Sequence, residues 1–133
     1  ERFRRQRQMC IRDRLWISDG THRLAVWEDG EVKRTIEVTY DGKRVSRLNE
    51  LEWINREIWA NVWLTDQIVR IDPTSGIITS IIDLGGLLPH CERRRDTDVL
   101  NGIAVDPKTG AIWLSGKRWP SLFNVELIER ITR

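Results

Sequence analysis

The sequence predicts an all-β fold, a partial β-propeller of about two and a half blades, and three observations carry that prediction. Ten short segments rich in β-branched and aromatic residues alternate with turn signals built from Asp, Gly, Pro and Asn. One four-residue pattern recurs three times, at intervals of 43 and 54 residues, and repeats of roughly 40–50 residues mark four-stranded propeller blades. No segment sustains the 3.6-residue apolar period of a helix.

The first segments, residues 15–18, 23–27 and 32–38, are divided by Asp19-Gly20 and Asp29-Gly30, and Asp41-Gly42 follows them. Asp and Gly both tolerate the positive φ that tight turns require. Residues 48–54 and 57–62 flank Asn55-Arg56. Residues 67–72 and 77–83 meet at the turn Asp72-Pro73-Thr74-Ser75-Gly76. The last group is residues 100–106, 111–115 and 121–127, with the matching turn Asp106-Pro107-Lys108-Thr109-Gly110. The recurring pattern is an aliphatic residue, Trp, an aliphatic residue or Ala, then a small polar residue. It occurs as Leu15-Trp16-Ile17-Ser18, Ile58-Trp59-Ala60-Asn61 and Ile112-Trp113-Leu114-Ser115. A second echo pairs Leu48-Asn49-Glu50-Leu51 with Leu100-Asn101-Gly102-Ile103. The extra length before the last group, residues 84–97, holds Gly85-Gly86, Pro89 and Arg93-Arg94-Arg95. It is expected to be a long surface connection whose arginines are balanced by Asp96 and Asp98. Propellers close with four to eight blades, so this chain is expected to be part of a longer protein.

Composition narrows the function. Of the 133 residues 40% are hydrophobic, enough for a core despite 32% charged, which excludes wholesale disorder. The longest stretch without a charge is ten residues, 73–82, too short for a membrane-spanning helix. The net charge of +2 is unevenly spread: six arginines against Glu1 and Asp13 leave residues 1–14 at +4 and the remainder at −2. The larger part therefore has no electrostatic case for nucleic acid. Residues 1–14 have neither strand alternation nor a turn signal and are expected to be a non-native or disordered tail, with the folded unit over 15–133. Cys10 and Cys91 make no disulfide framework, and His22 and His90 lack metal-ligand spacing, so no metal or cofactor is expected.

The internal repeat alone selects site candidates. The Leu-Asn segments precede the Trp-bearing segment of their repeats, which makes them the innermost strands of their blades and puts Asn49 and Asn101 at equivalent positions. Four residues after the repeat tryptophan comes a second matched pair, Trp63 after Trp59 and Lys117 after Trp113. Both fall just past a strand end, where loops deliver functional side chains. Asn49, Trp63, Asn101 and Lys117 are thus expected at one end of a channel. Trp16, Trp27, Trp53, Trp59 and Trp113 are assigned mainly to the core. Glu50 and Glu52 are assigned to hydrogen bonding between blades.

Four motifs in order resemble the plant-type glutaminyl-peptide cyclotransferases, the glutamine cyclotransferases of plants and bacteria. They are Arg47-Leu48-Asn49-Glu50-Leu51-Glu52-Trp53, Ile58-Trp59-Ala60-Asn61-Val62-Trp63-Leu64-Thr65-Asp66, Asp98-Val99-Leu100-Asn101-Gly102-Ile103-Ala104 and Gly116-Lys117-Arg118-Trp119-Pro120-Ser121-Leu122-Phe123. The similarity runs from about Leu15 to about Leu127, and Leu15-Trp16-Ile17-Ser18-Asp19-Gly20 adds a weaker match. The resemblance implies a five-bladed propeller, and an enzyme that converts an N-terminal glutamine of a peptide or protein into pyroglutamate with release of ammonia. It also implies Asn49 and Lys117 as catalytic residues, and Trp63, with Asn101 and Trp119, as substrate-binding residues. By family habit such enzymes are secreted, periplasmic or vacuolar, and a monomer is expected for the whole protein. Three positions depart from the family pattern: Leu64 where Gln is common, Arg56 where Gly is common, and Ser115 where Thr is common. The family's acidic residue lies in a Gly-Glu-Gly-type motif of an earlier blade, and no such motif occurs in these 133 residues. The chain by itself is therefore expected to be an inactive fragment.

The residue types suit that chemistry. A carboxylate moves the proton from amine to leaving ammonia, Lys or Asn stabilises the oxyanion, and an aromatic wall holds the glutamine folded for attack. Two rival readings stand beside it: a non-enzymatic propeller that binds protein partners, and a metal-dependent lactonase-type hydrolase, whose Ca²⁺ a nearby lysine would oppose.

Overall fold

The structure, a computed structural model, describes residues 14–130 and the backbone of residues 7–11. Strands β1 (Arg7–Ile11), β2 (Arg14–Ser18), β3 (Arg23–Glu28) and β4 (Glu31–Glu37) form a first antiparallel sheet in chain order. A two-stranded ribbon follows, β5 (Thr39–Tyr40) with β6 (Lys43–Arg44). The second sheet is β7 (Leu48–Ile54), β8 (Glu57–Val62), β9 (Gln67–Ile71) and β10 (Ile78–Asp83). The third has β11 (Leu100–Val105), β12 (Ile112–Gly116) and β13 (Phe123–Val125). The helical element among the described residues is a 3₁₀ turn, His90–Glu92.

Local chemistry explains the hairpins. Glu28 pairs with Glu31, Tyr40 with Lys43 and Ile54 with Glu57, so each loop is two residues long. All the loop residues have positive φ: Asp29 and Gly30 at 54° and 77°, Asp41 and Gly42 at 49° and 72°, Asn55 and Arg56 at 50° and 66°. This backbone matches the right-handed twist of the strands it joins. Arg56 adopts it without glycine's freedom, at a cost of about 1 kcal/mol. The two longer turns share another device. Asp72 Oδ1 accepts the Thr74 and Ser75 N–H groups at 2.7 and 3.1 Å, and Asp106 Oδ1 accepts the Lys108 N–H at 2.8 Å. These backbone bonds hold both carboxyls below their ordinary value, the Ser75 and Lys108 N–H groups having the largest effect.

Strand β1 corrects the expectation for residues 1–14. It pairs with β2 in unbroken register, from Arg7 opposite Ser18 to Ile11 opposite Arg14, and it lies against β7. Main-chain pairing is indifferent to side-chain type, so an arginine-rich segment without apolar alternation still adds a strand to the open edge of β2. The rest of that segment, residues 1–6, 12 and 13, lies outside the described residues. The long connection over residues 84–97 differs from expectation too. Leu88 is 1% exposed, so this surface segment is pinned at its middle by a buried side chain.

Two apolar layers separate the three sheets. The first holds Trp16, Leu24, Val26 and Ile36 from the first sheet against Leu51, Ile58, Ala60 and Val69 from the second. The other holds Ile54, Trp59 and Ile68 against Leu100, Ile103 and Leu114. Residues of β8 alternate between them, Ile58 and Ala60 to one layer and Trp59 to the other, as the two-residue period of a strand requires. Each fully buried Leu or Ile, such as Leu48, Ile58 or Ile68, stabilises the stack by about 1.5–3 kcal/mol. Strand β7 lies between β1 and β11, so the first strand of each sheet neighbours the first strand of the next.

Gly76 closes the β9–β10 turn at φ 79°, and a Cβ there would run into the Glu37 carbonyl. Its counterpart Gly110, at φ 75°, has nothing within 4 Å. Gly76→Ala is therefore expected to cost roughly 2–3 kcal/mol, from backbone strain and collision together. That lowers the melting temperature by about 10 °C. Gly110→Ala loses only the strain term, and paired thermal melts of the two variants check the difference.

Candidate active site

Both Leu-Asn segments are bulged. The pairing of β7 with β8 slips between Leu48 and Leu51, and that of β11 with β12 slips between Leu100 and Ile103. Asn49 and Asn101 sit inside these matched irregularities, where an extra residue re-aims side chains away from the regular pleat. Neighbouring sheets clamp both bulges. Ser18 Oγ donates to the Asn49 carbonyl at 2.6 Å, and the Gly102 N–H donates to Asn61 Oδ1 at 3.4 Å. Ser18 and Asn61 hold the same place in the recurring pattern, and the two peptide groups they reach also correspond. Ser18 and Asn61 are both fully buried. The sequence marked them as a repeat position without a role; the structure gives them one, joining each sheet to the first strand of the next.

The bulges bring the two asparagines together. Asn49 Nδ2 donates to Asn101 Oδ1 at 3.1 Å, and both residues are half-buried. Trp63 and Lys117 lie at the same end of their sheets. Leu48 pairs with Val62 and Leu100 with Gly116, so each candidate is the residue just past its strand and beside the entry to the bulged one. The Trp63 N–H donates to the Arg47 carbonyl at 2.8 Å, and the Lys117 N–H donates to the Val99 carbonyl at 2.9 Å. Trp63 is 47% exposed. The Asp98 N–H donates to the Lys117 carbonyl at 3.0 Å, and Lys117 Nζ lies 3.6 Å from Asp98 Oδ2. Asp98, expected to balance arginines 93–95, is thus engaged by Lys117.

Trp119 is placed differently from the other candidates. Its indole N–H donates to the Asp98 carbonyl at 2.8 Å, and its ring meets Phe123 edge-on with centroids 6.0 Å apart. Gly116 makes room for it, since a Cβ there would run into the ring. Trp119 lines a cleft of about 240 Å³ with Leu64, Thr65, Asp66, Arg93 and Asp98, and that cleft leaves out Asn49, Trp63 and Lys117. A larger cavity of about 880 Å³ lies at the opposite strand ends, among Trp16, Trp53, Arg56 and Pro73. The structure therefore brings Asn49 and Asn101 into contact and sets Trp63 and Lys117 at their end.

Set against known proteins, residues 9–127 match the family model described as Glutamine cyclotransferase. Over 119 residues the chain is 43% identical to the glutaminyl-peptide cyclotransferase of Arabidopsis thaliana, a match covering 85% of this chain and 37% of that protein. A crystal structure of Myxococcus xanthus glutaminyl cyclase superposes with a TM-score of 0.81 at 34% identity, covering 90% of this chain and 53% of that one. The chain spans about a third to a half of the length of these relatives.

Glu52, on the same strand as Asn49, gives a pH-dependent test. Burial pushes its carboxyl above its ordinary value, the bond accepted from the Trp53 N–H opposes this, and Glu50 adds to it. A carboxyl raised in the folded state costs stability as pH climbs through its folded value, and costs nothing where folded and unfolded forms are both protonated. Glu52→Gln keeps an acceptor for Trp53. It is expected to melt higher than the parent at pH 7, with the gain vanishing below about pH 4. Melts across that range check the sign.

Proposed function

The chain belongs to the glutamine cyclotransferase family, and on that footing we propose that the whole protein is a glutaminyl-peptide cyclotransferase. Its substrate is a peptide or protein with an N-terminal glutamine, which it converts to pyroglutamate with loss of ammonia. The observation that carries this reading is the Asn49–Asn101 contact at matched bulges, with Trp63 and Lys117 at the same end of adjacent sheets.

In the proposed reaction the substrate's α-amine attacks its own γ-carboxamide carbon. A C–N bond closes the five-membered lactam, and the carbonyl oxygen takes up the displaced electron pair. The Lys117 ammonium, with the Asn49 amide, stabilises that oxygen as charge develops on it. The Trp63 ring forms a wall that keeps the glutamine side chain curled back on the amine, which converts binding into proximity. The C–N bond to the departing nitrogen then breaks, and the proton lost by the amine ends on ammonia. We assign that proton transfer to a carboxylate outside these 133 residues, since they hold no Gly-Glu-Gly motif.

The three sheets are read as successive blades of a five-bladed propeller. Tryptophan burial supports this. Trp16 is 5% exposed and packs toward the second sheet, and Trp59 is 3% exposed and packs toward the third. Trp113, at the same repeat position, is 40% exposed. In the whole protein it is the surface on which a further blade packs. Secreted, periplasmic or vacuolar placement and a monomeric state are proposed from family habit alone.

The test is ammonia release from a Gln-initiated dipeptide, with an Asn-initiated one as control. The whole protein is expected to turn over the first, and Lys117→Ala to slow it by roughly 10²–10³-fold, the loss of an oxyanion donor. The 133-residue chain alone is expected to be nearly inactive, because it lacks a proton shuttle typically worth about 10²–10⁴-fold. Turnover of the Gln substrate by the isolated chain at the parent's rate would sink the fragment reading. A whole protein that turns over neither substrate would favour the binding scaffold.

A further inference from the structure

We infer that Asp98 and Asn101, three residues apart at the entry to β11, are a positioning pair that orients both proposed catalytic side chains: Asn101 holds the Asn49 amide, and Asp98 holds the Lys117 ammonium. The inference rests on the reading of Asn49 and Lys117 as catalytic, and it gives Asn101 a different task from direct contact with substrate.

The asparagine half follows from the bulges. The Asn49 main chain is fixed by the Ser18 hydroxyl on its carbonyl at 2.6 Å, but its amide plane still turns about a broad, roughly two-fold torsion. An unanchored amide would offer its oxygen and its nitrogen to substrate by turns. The bond from Asn49 Nδ2 to Asn101 Oδ1, 3.1 Å, distinguishes the two ends of the amide. It commits one N–H to Asn101 and leaves Oδ1 and the second N–H for other partners.

The lysine half follows from how firmly Asp98 is tied. Its N–H donates to the Lys117 carbonyl at 3.0 Å, and its own carbonyl accepts the Trp119 indole N–H at 2.8 Å. Its Oδ1 accepts the Val99 N–H at 2.8 Å, which leaves Oδ2 turned to Lys117 Nζ at 3.6 Å. A carboxylate held at Oδ1, on a residue whose main chain is fixed at both its N–H and its carbonyl, gives a long, flexible ammonium stem one preferred place. The side chains are 52% and 44% exposed, and an ion pair that open to water adds little stability. Losing the pair is thus expected to disturb the site far more than the fold.

One strand entry therefore sets the geometry of two groups that belong to different sheets, Asn49 on the second and Lys117 on the third. Misplacement of a catalytic group by about 1 Å costs up to roughly 100-fold in rate.

The experiment is a pair of double-mutant cycles in the whole enzyme, read in kcat and KM for a Gln-initiated dipeptide, with melting temperatures alongside. Asn101→Leu and Asp98→Asn are each expected to lower kcat by roughly 10–100-fold with KM nearly unchanged. Adding Asn101→Leu to Asn49→Ala, or Asp98→Asn to Lys117→Ala, is expected to cost nothing further, because each acts only through its partner. If Asn101→Leu does not fold, Asn101→Ser, too short to reach Asn49, takes its place. Parental kcat in Asn101→Leu and Asp98→Asn, with Asn49→Ala and Lys117→Ala slow, overturns the positioning pair and leaves the site reading standing. Additive losses also overturn it, since they make Asn101 or Asp98 a contact in its own right. Full activity in Asn49→Ala and Lys117→Ala fells the site reading, and the positioning pair with it.

Discussion

A bulge in a strand leaves a peptide group without its regular partner, and a buried peptide without a partner is costly. The three sheets are organised around the answer to that problem. On β7 the exposed carbonyl of the bulge is taken by Ser18 from the preceding sheet, and on β11 the N–H of the equivalent peptide is taken by Asn61. The same two bonds register the sheets against each other. Apolar layers supply the bulk of the stacking free energy, but they are tolerant of sliding; the hydrogen bonds are directional. Where the joint is fixed, so is the place at which Asn49 meets Asn101.

This arrangement gives the second sheet two unlike faces. One carries the repeat tryptophan Trp59 and the small polar Asn61, and it looks toward the third sheet. The other carries Ile58 and Ala60 and looks back to the first, as Leu114 of the third sheet looks back to the second. Stacking is therefore directional, and the strand ends that deliver Trp63 and Lys117 keep a constant side. A site assembled from several sheets becomes possible because each contributes from the same end.

Much of this was legible before any coordinates. The hairpin pairs at Asp29, Asp41 and Asn55 announce their turns because few residues tolerate positive φ at both loop positions. The repeat tryptophans fall in one register, and that register singles out Asn49, Trp63, Asn101 and Lys117. The bulges are harder to read, because their trace is a spacing of apolar residues that takes its meaning from the layers they join. Leu48 and Leu51 are three apart yet share one apolar layer, whereas the two-residue period of a regular strand would put them on opposite faces. Strand β1 is invisible in the sequence for another reason: it is held by main-chain pairing, which leaves no mark in residue type. In the sequence Asp98 reads only as a charge near three arginines, since its bonds to residues 117 and 119 depend on a strand pairing that sequence spacing does not reveal.

The connection over residues 84–97 leaves the stack after β10 and returns at β11, and its first residues, Leu84 and Leu87, pack against the layer between the second and third sheets. Its ends are tied by main-chain bonds from the Leu84 N–H to the Asp66 carbonyl at 2.8 Å and, just past it, from the Asp98 N–H to the Lys117 carbonyl at 3.0 Å, and Leu88 anchors the middle. Closing a longer loop between fixed ends costs little, about 0.6 kcal/mol for each doubling. Beyond Leu88, a stretch of different length or charge fits between the same anchors without retuning the register of the sheets. Arg93 borders the cleft beside Trp119, so a substitution here changes what meets that cleft and leaves the joints between sheets as they are. For grafting, that makes it the natural cassette: a stretch whose contents are exchangeable because its anchors are not.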